Sequence, residues 1–149
     1  MGDAKQPGRL WAWLGQGSGD ASAKSALPPP LHLAYLGDAV WELHVRTVLV
    51  ESERGKLSDI HHLAVKRVQA GAQADRLRSV EDELTEAERE IVRRGRNASP
   101  KGPRGSDPAA YRYSTGFECL LGYLYWTGQT ERLREILYIA DRQERGDGR

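Results

Sequence analysis

The most informative segment of the sequence reads Leu33-Ala34-Tyr35-Leu36-Gly37-Asp38-Ala39-Val40-Trp41-Glu42. Its apolar residues recur at helical spacing, which predicts a long amphipathic helix. Asp38 interrupts this pattern on the face expected to point into the core. Because burying an unpaired charge costs several kcal/mol, Asp38 needs a cation, a metal ion or several hydrogen-bond donors. The alternative is an aspartate that turns out to solvent or caps a neighbouring helix.

A second carboxylate interrupts another apolar helix. Glu118 is the only charged residue between Arg112 and Glu131. Small residues lie near both acids and would let the two helices approach closely: Gly37, Ala39, Gly116 and Gly122. Converging carboxylate oxygens are the ligands that Mg²⁺ or Mn²⁺ prefers. The sequence therefore predicts a metal site at Asp38 and Glu118, with a structural glutamate–arginine pair as the main alternative.

Glu42 is a candidate for a further metal ligand. It follows Asp38 by one helical turn and lies on the same helix face. It is equally well placed to pair with Arg46, four residues further on. The sequence leaves both interpretations open.

The rest of the chain is predicted to be all-α and to form one domain. Its 149 residues and 39% apolar content suit a single modest core. We expect residues 1–30 to be a flexible extension, residues 31–142 to form the helical domain, and residues 143–149 to fray. No strand pattern competes with this interpretation.

Local signals set the expected helix ends. Ser58 is predicted to cap a helix that bends near Gly71, and Thr85 with Glu88 forms a capping box. Further signals predict a stop at Gly95, a helix from about Ala109 to Trp126 ending at Gly128, and a last helix capped by Thr130.

The overall composition excludes several classes of protein. No apolar run approaches the roughly 20 residues of a membrane span, and residues 1–7 lack the pattern of a secretory signal. A single cysteine, Cys119, excludes an intramolecular disulfide and a cysteine-based zinc site. We therefore expect a cytoplasmic protein.

The global charge of +1 conceals a basic segment at residues 89–112. Seven positive residues stand there against two negative ones, a local balance of +5. Such a segment makes good contacts to a phosphate backbone, although a charge run is often only a solvated surface. It leads directly into the helix that carries Glu118. Carboxylates that hold a metal beside a phosphate-binding surface indicate metal-assisted phosphodiester hydrolysis.

The segment 33–42 resembles the signature helix of the ribonuclease III family, and Tyr113-Ser114-Thr115-Gly116-Phe117-Glu118 resembles its second acidic motif. Arg94-Gly95-Arg96-Asn97 and the run 111–115 point to the Mini-ribonuclease III branch. The resemblance spans residues 31–140. It implies an all-α endonuclease domain that works as a homodimer on double-stranded RNA with Mg²⁺, or with Mn²⁺ as a substitute. For the Mini branch it implies maturation of the 23S ribosomal RNA precursor.

The resemblance also implies roles for individual residues. Asp38 and Glu118 correspond to catalytic, metal-binding acids, and Tyr35 corresponds to a dimer contact. Ala34 and Thr115 stand where larger members of the family carry a glutamate and an aspartate, so the number of metal ions is open. No segment resembles a double-stranded-RNA-binding domain, so recognition falls to the nuclease dimer or to a helper such as a ribosomal protein. The residues that suit a duplex backbone are Arg94, Arg96, Asn97, Lys101, Arg104 and Arg112.

Two other classes of function compete with a nuclease. Ala34 and Thr115 favour a non-catalytic RNA-binding module of the same fold, active in ribosome assembly or intron metabolism. A helical interaction domain with paired acids is the third candidate. Asp38 and Glu118 argue for the enzyme.

Overall fold

The computed structural model describes residues 27–146 of the chain, and the side chains of residues 27–142. The described part contains no strand. The helices are α1 (Pro30–Ser52), α2 (Leu57–Val68), α3 (Ala70–Val80), α4 (Glu86–Ala98), α5 (Pro108–Trp126) and α6 (Thr130–Gly146), with a 3₁₀ turn at Glu81–Glu83. The all-α prediction is confirmed, whereas the predicted N-terminal extension falls mostly on residues 1–26, outside the described residues.

Helix α5 is the centre of the fold. It packs most extensively against α1 and also contacts α3, α4 and α6. Trp41 of α1 meets Phe117 of α5 edge to face, with ring centroids 5.2 Å apart. Leu120, Leu121 and Leu124 of α5 are fully buried in the same cluster. Because α5 is packed against four other helices, the residues on each of its faces contact a different neighbouring helix.

Glycines set the closest contact, between α1 and α5. A Cβ atom on Gly37 would overlap the backbone carbonyl of Glu118, and one on Gly122 would overlap the backbone carbonyl of Leu33. The two backbones therefore touch at this crossing. The prediction that small residues permit a close approach is confirmed for Gly37 and Gly122. It is wrong for Ala39, which is exposed, and for Gly116, which faces α4.

Several predicted helix ends are correct. Thr85 and Glu88 form the expected capping box, with both reciprocal hydrogen bonds present. Gly128 takes a φ of +70° after the end of α5, where the amide of Gln129 bonds to the carbonyl of Leu124. This is the left-handed cap that glycine favours.

Other predicted ends are wrong. Helix α2 begins at Leu57, so Ser58 lies inside it and caps nothing. The expected bend at Gly71 is a break at Gln69, whose ψ of 150° separates α2 from α3. Helix α4 continues past Gly95 to Ala98. Gly95 does not end the helix; instead it lies where α4 packs closely against Cys119.

At the C-terminal end, α6 begins at Thr130 itself and extends to Gly146. It therefore passes residue 142, where we expected the domain to end. A partly buried ion pair joins α6 to the start of α4: Arg132 donates to both carboxylate oxygens of Glu88 at 2.8 Å. None of the described helices combines the length and the hydropathy that a membrane crossing requires.

We expect Gly37→Ala to lower the free energy of unfolding by about 3 kcal/mol or more, because the new methyl group forces α1 and α5 apart. The matched control is Gly71→Ala on α3, where a Cβ atom meets nothing within 4 Å. The free energy of unfolding of that variant should equal that of the wild type or exceed it by up to about 1 kcal/mol. Urea denaturation followed by circular dichroism measures both, and equal midpoints for the two variants would contradict the crossing described above.

Candidate active site

The close crossing of α1 and α5 sets two carboxylates side by side. Asp38 follows Gly37 on α1, and the carbonyl of Glu118 is the atom that Gly37 faces on α5. Glu118 is partly buried, whereas Asp38 is exposed. The expectation that Asp38 faces the core is therefore wrong: it lies at the solvent edge of the helix contact, where the site is open to a substrate.

The pKa values of both acids are raised. Burial raises the pKa of Glu118 to about 8, and the negative charge of Asp38 adds to this effect. Partial burial at the helix contact also raises the pKa of Asp38, with a further contribution from the carboxylate of Glu42. The charge of Asp38 thus destabilises the ionised form of Glu118, and the charge of Glu42 destabilises that of Asp38, as expected for carboxylates that share a site.

Among the described residues, no cation compensates the charge of the ionised pair. Within residues 27–142, no lysine, arginine or histidine forms an ion pair with Asp38 or Glu118. The structural glutamate–arginine pair considered for Glu118 is therefore absent from the described residues. Glu42 does have a partner, since its carboxylate accepts a hydrogen bond from Arg46 at 2.8 Å. This is the pairing that the sequence offered as the alternative to a metal-binding role.

The donor set fits a hard divalent cation. In the described part of the chain, no three or more histidine, cysteine, aspartate or glutamate side chains converge tightly enough to hold a metal. Mg²⁺ typically takes one or two protein carboxylates, retains several waters and completes its coordination with substrate phosphate. Asp38 and Glu118 provide that number of carboxylates, and an ion between them would offset the repulsion that raises their pKa values.

Ala34 and Thr115, which stand at the two positions where the family resemblance leads one to expect an acid, are packed into the protein. Ala34 is 5% exposed and contacts the cluster of Leu33, Ile91 and Cys119. Thr115 is 8% exposed, and its hydroxyl lies 3.0 Å from that of Ser99 and donates to the carbonyl of Tyr111. Both positions are filled by protein contacts, which leaves Asp38 and Glu118 as the carboxylates of the site.

The predicted RNA-binding residues surround one loop, residues 99–107, between α4 and α5. Arg94, Arg96 and Asn97 lie in the last turns of α4, Lys101 and Arg104 lie in the loop, and Arg112 lies in the first turns of α5. All of them except Arg96 are exposed. The bond between Ser99 and Thr115 joins the start of this loop to α5, three residues before Glu118. The loop is thereby attached to the helix that carries the acid.

One basic residue in this region was missed by sequence reasoning. The guanidinium of Arg78, on α3, lies 4.9 Å from the ring centre of Tyr113 on α5. The guanidinium of Arg96 lies 4.3 Å from the same ring. Arg78 is 35 residues from Tyr113 in sequence, so no local motif could have connected them.

Tyr35 and the histidines also have clear positions. Tyr35 is 81% exposed on α1. His44 stacks on Trp41 and bonds to Asp141 at 2.7 Å, while His32, His61 and His62 are exposed.

Comparison with known proteins identifies the class and then the family. The family model of the ribonuclease III domain matches residues 31–129, so the helical fold and its carboxylate pair belong to a ribonuclease III domain. A Mini-ribonuclease 3 of Symbiobacterium thermophilum is 53% identical over 120 residues, which cover 79% of this chain and 92% of that protein. A Mini-ribonuclease 3 of Thermoanaerobacter sp. is 48% identical over 112 residues, covering 74% of this chain and 79% of that protein. The chain belongs to the Mini-ribonuclease 3 family and is an endoribonuclease.

A solved structure supports the fold. The crystal structure of protein FN1578 from Fusobacterium nucleatum superimposes with a TM-score of 0.70 and 24% sequence identity. The match covers 85% of this chain and 99% of that one. The helical arrangement described above is therefore one that a related fold adopts in a crystal.

We expect the titration of Glu118 to lower the free energy of unfolding as the pH rises between its pKa in the unfolded state and its pKa in the folded state. The pKa of Glu118 is about 8 in the folded state and near 4.5 when unfolded. The folded state therefore holds a proton that the unfolded state loses, and this costs stability progressively between those two pH values. Glu118→Gln should remove the loss and raise the free energy of unfolding at alkaline pH by about 2 to 4 kcal/mol.

Urea denaturation at several pH values measures this difference without added metal. The matched control is Glu53→Gln, which changes an exposed glutamate just after α1. Glu53→Gln should follow the wild-type pH profile. A Glu118→Gln profile parallel to that of the wild type would contradict the raised pKa.

Proposed function

We propose that the chain cleaves double-stranded RNA as a homodimer, with Asp38 and Glu118 binding one Mg²⁺ ion, which Mn²⁺ can replace. The observation that carries this proposal is the adjacent pair of carboxylates with raised pKa values and no cationic partner among the described residues. Two carboxylates that would repel each other if both were ionised gain most from a divalent cation, which offsets that repulsion and displaces the proton. The basic loop attached to the same helix supplies the phosphate contacts.

The reaction is hydrolysis of a phosphodiester bond. A water oxygen adds to phosphorus and the bond to the 3′ oxygen breaks, which leaves a 5′-phosphate and a 3′-hydroxyl, as the family resemblance implies. Mg²⁺, when bound, activates water and offsets the negative charge that develops on the phosphate. Asp38 and Glu118 would hold the ion, and the backbone contact at Gly37 fixes the relative position of the two helices that carry them. Preorganised acids of this kind need no rearrangement when the substrate arrives.

The basic residues at the loop bind and orient the duplex. Duplex RNA is recognised mainly through its shape, its phosphates and its 2′-hydroxyls. Exposed arginine and lysine side chains at 94, 101, 104 and 112 suit such contacts. They lie on both sides of the 99–107 loop, so one RNA backbone laid across the loop would contact residues from α4 and α5 together.

A second copy of the chain would cover the exposed apolar residues of α1. Tyr35 and Leu31 are 81% and 41% exposed. Burying such side chains against an identical surface is the usual basis of a two-fold dimer. The resemblance to the Mini branch further favours the 23S ribosomal RNA precursor as substrate, a ribosomal protein as helper and a cytoplasmic location.

The second candidate function is a non-catalytic RNA-binding module. Ala34 and Thr115 favour it, because these positions lack the acids of larger family members. The carboxylate pair favours the enzyme, since a binding module gains nothing from two acids that weaken each other and repel RNA. The experiment below separates the two candidates.

We expect Asp38→Asn to reduce cleavage of a labelled RNA duplex by about 100-fold or more, because it removes a ligand of the metal that stabilises the transition state. Cleavage by the wild type should require Mg²⁺ or Mn²⁺ and stop in EDTA. Asp82→Asn, at an exposed acid in the 3₁₀ turn, serves as control and should cleave at the wild-type rate.

The assay scores binding as well as cleavage. Asp38→Asn should retain the duplex on a filter, since it keeps every basic residue. Wild-type protein that binds RNA without cutting it in Mg²⁺ would support the binding module and overturn the proposed activity. Cleavage that persists in EDTA would contradict the metal dependence.

A further inference from the structure

Arg78, Tyr113 and Arg96 form one cluster on the surface beside the loop, and we call it the arginine clamp. It joins three helices: Arg78 comes from α3, Arg96 from α4 and Tyr113 from α5. Each guanidinium lies within 5 Å of the tyrosine ring centre, at 4.9 Å and 4.3 Å. Each cation is attracted to the π-electron density of the ring, so both guanidinium groups are held next to Tyr113.

The clamp carries more positive charge than its neighbours neutralise. Arg78 bonds to Asp75 at 3.0 Å, an exposed pair three residues apart on α3. Exposed pairs of this kind contribute little and exchange readily with solvent. Within the described residues, Arg96 has no carboxylate partner, and its Nε atom is buried without a hydrogen-bond acceptor. The two arginines together therefore leave a net positive charge suited to an anion, which would contact their guanidinium groups at atoms other than the buried Nε of Arg96.

Packing fixes the direction of Arg96. A Cβ atom at Gly116 would lie only 2.9 Å from the Cγ of Arg96, so the absence of a side chain there lets the arginine stem lie flat on α5. The stem then leads to the ring of Tyr113, one helical turn before Gly116. Stacking on the ring leaves the edges of the guanidinium, which carry its donors, free for a phosphate.

The clamp is connected to the basic loop rather than placed directly beside the acids. Tyr113 precedes Glu118 by five residues on α5, which is about 7.5 Å along the helix axis and about 140° around it. Arg96 is on the last turns of α4, three residues before Ser99, whose hydroxyl contacts Thr115. Because Arg96 belongs both to the clamp and to the basic residues around the loop, RNA laid across the loop reaches the clamp.

We propose that Arg78 and Arg96 together bind a phosphate of the RNA backbone, and that Tyr113 is the positioning residue that holds them. The proposal assigns RNA binding to Arg78, which lies outside the basic segment 89–112. This inference rests on the proposed function and specifies how that site holds its substrate. A bidentate contact from each planar guanidinium suits a phosphate better than a lysine point charge does.

The test measures duplex binding in the Asp38→Asn background, which cannot cut the probe. Fluorescence anisotropy of a labelled RNA duplex gives the Kd over a series of salt concentrations. Arg78→Ala should weaken binding by about 5- to 10-fold and reduce the slope of log Kd against log salt by about 1, as loss of one phosphate contact does. Arg78→Lys should recover only part of the affinity, because it keeps the charge without the planar fork.

Arg134 offers a matched control. Its side chain is 44% exposed, against 49% for Arg78, and it also pairs with an acid three residues away on the same helix, Glu131. It lies on α6 and stacks on no aromatic ring among the described residues. Arg134→Ala should leave both the Kd and the salt slope unchanged.

Substitution of the ring tests the positioning role. Tyr113→Phe keeps the stacking surface and should bind as the parent does, whereas Tyr113→Leu should lose about as much affinity as Arg78→Ala or more. Thermal melting of each variant identifies any loss of folded protein. If the cluster only joins three helices, Arg78→Ala lowers the melting temperature and leaves the salt slope unchanged, which overturns the inference.

Failure of the inference differs from failure of the proposed function. If the unsubstituted chain cleaves duplex RNA while Arg78→Ala and Arg134→Ala bind alike, only the role of Arg78 is wrong. If the unsubstituted chain neither binds nor cleaves a duplex, the proposed function fails and the clamp fails with it.

Discussion

The contact between the backbones of α1 and α5 is the constraint on which the site depends. Gly37 and Gly122 each lie against a carbonyl of the opposite helix, so neither position has room for a side chain. Protein interiors tolerate such close approach only where the residues are this small. The contact determines that Asp38 and Glu118 are neighbours, and it does so with main-chain atoms that cannot move aside. The helix backbones that carry the two acids therefore cannot move apart to relieve the repulsion between the carboxylates when both are ionised.

This arrangement makes the site less stable than its surroundings. The core beside it contains Trp41, Phe117 and the leucines of α5, and its burial offsets the cost of desolvating Glu118 next to Asp38. Such local cost is typical of sites prepared for a ligand that is itself charged. The basic residues differ from the acids in position, because they lie at helix ends and in the 99–107 loop, where an RNA backbone can reach them. Acids on rigid helices and accessible basic side chains therefore occupy neighbouring regions of the protein.

Much of the fold could be predicted from the sequence because its signals are local. The capping box at Thr85 depends on residues three positions apart, and apolar spacing identifies a helix such as α5 within a few turns. The role of the Gly37–Gly122 contact was also predictable, because small residues beside two isolated acids indicate helices that pack closely there. The Asp38 and Glu118 pair followed from the same reasoning.

The errors arose where distant residues decide the outcome. Gly95 looks like a helix stop, yet it is the point where α4 rests on Cys119. Asp38 looked buried because its sequence neighbours are apolar, but its helix meets solvent at that edge. Arg78 gave no signal at all, since its partner Tyr113 lies on a helix two elements further along the chain. Only the packing of α3, α4 and α5 brings these side chains together.

The proton balance of Mg²⁺ binding tests the proposed metal site most directly. With a pKa of about 8, Glu118 carries a proton at neutral pH, and a metal ion must displace it. Isothermal titration calorimetry in two buffers of different ionisation enthalpy, near pH 7 and without RNA, gives the number of protons released. We expect nearly one proton per site for the wild type and none for Glu118→Gln, with weaker binding in that variant. Equal affinity and equal proton release in the two proteins would contradict a metal site at Asp38 and Glu118.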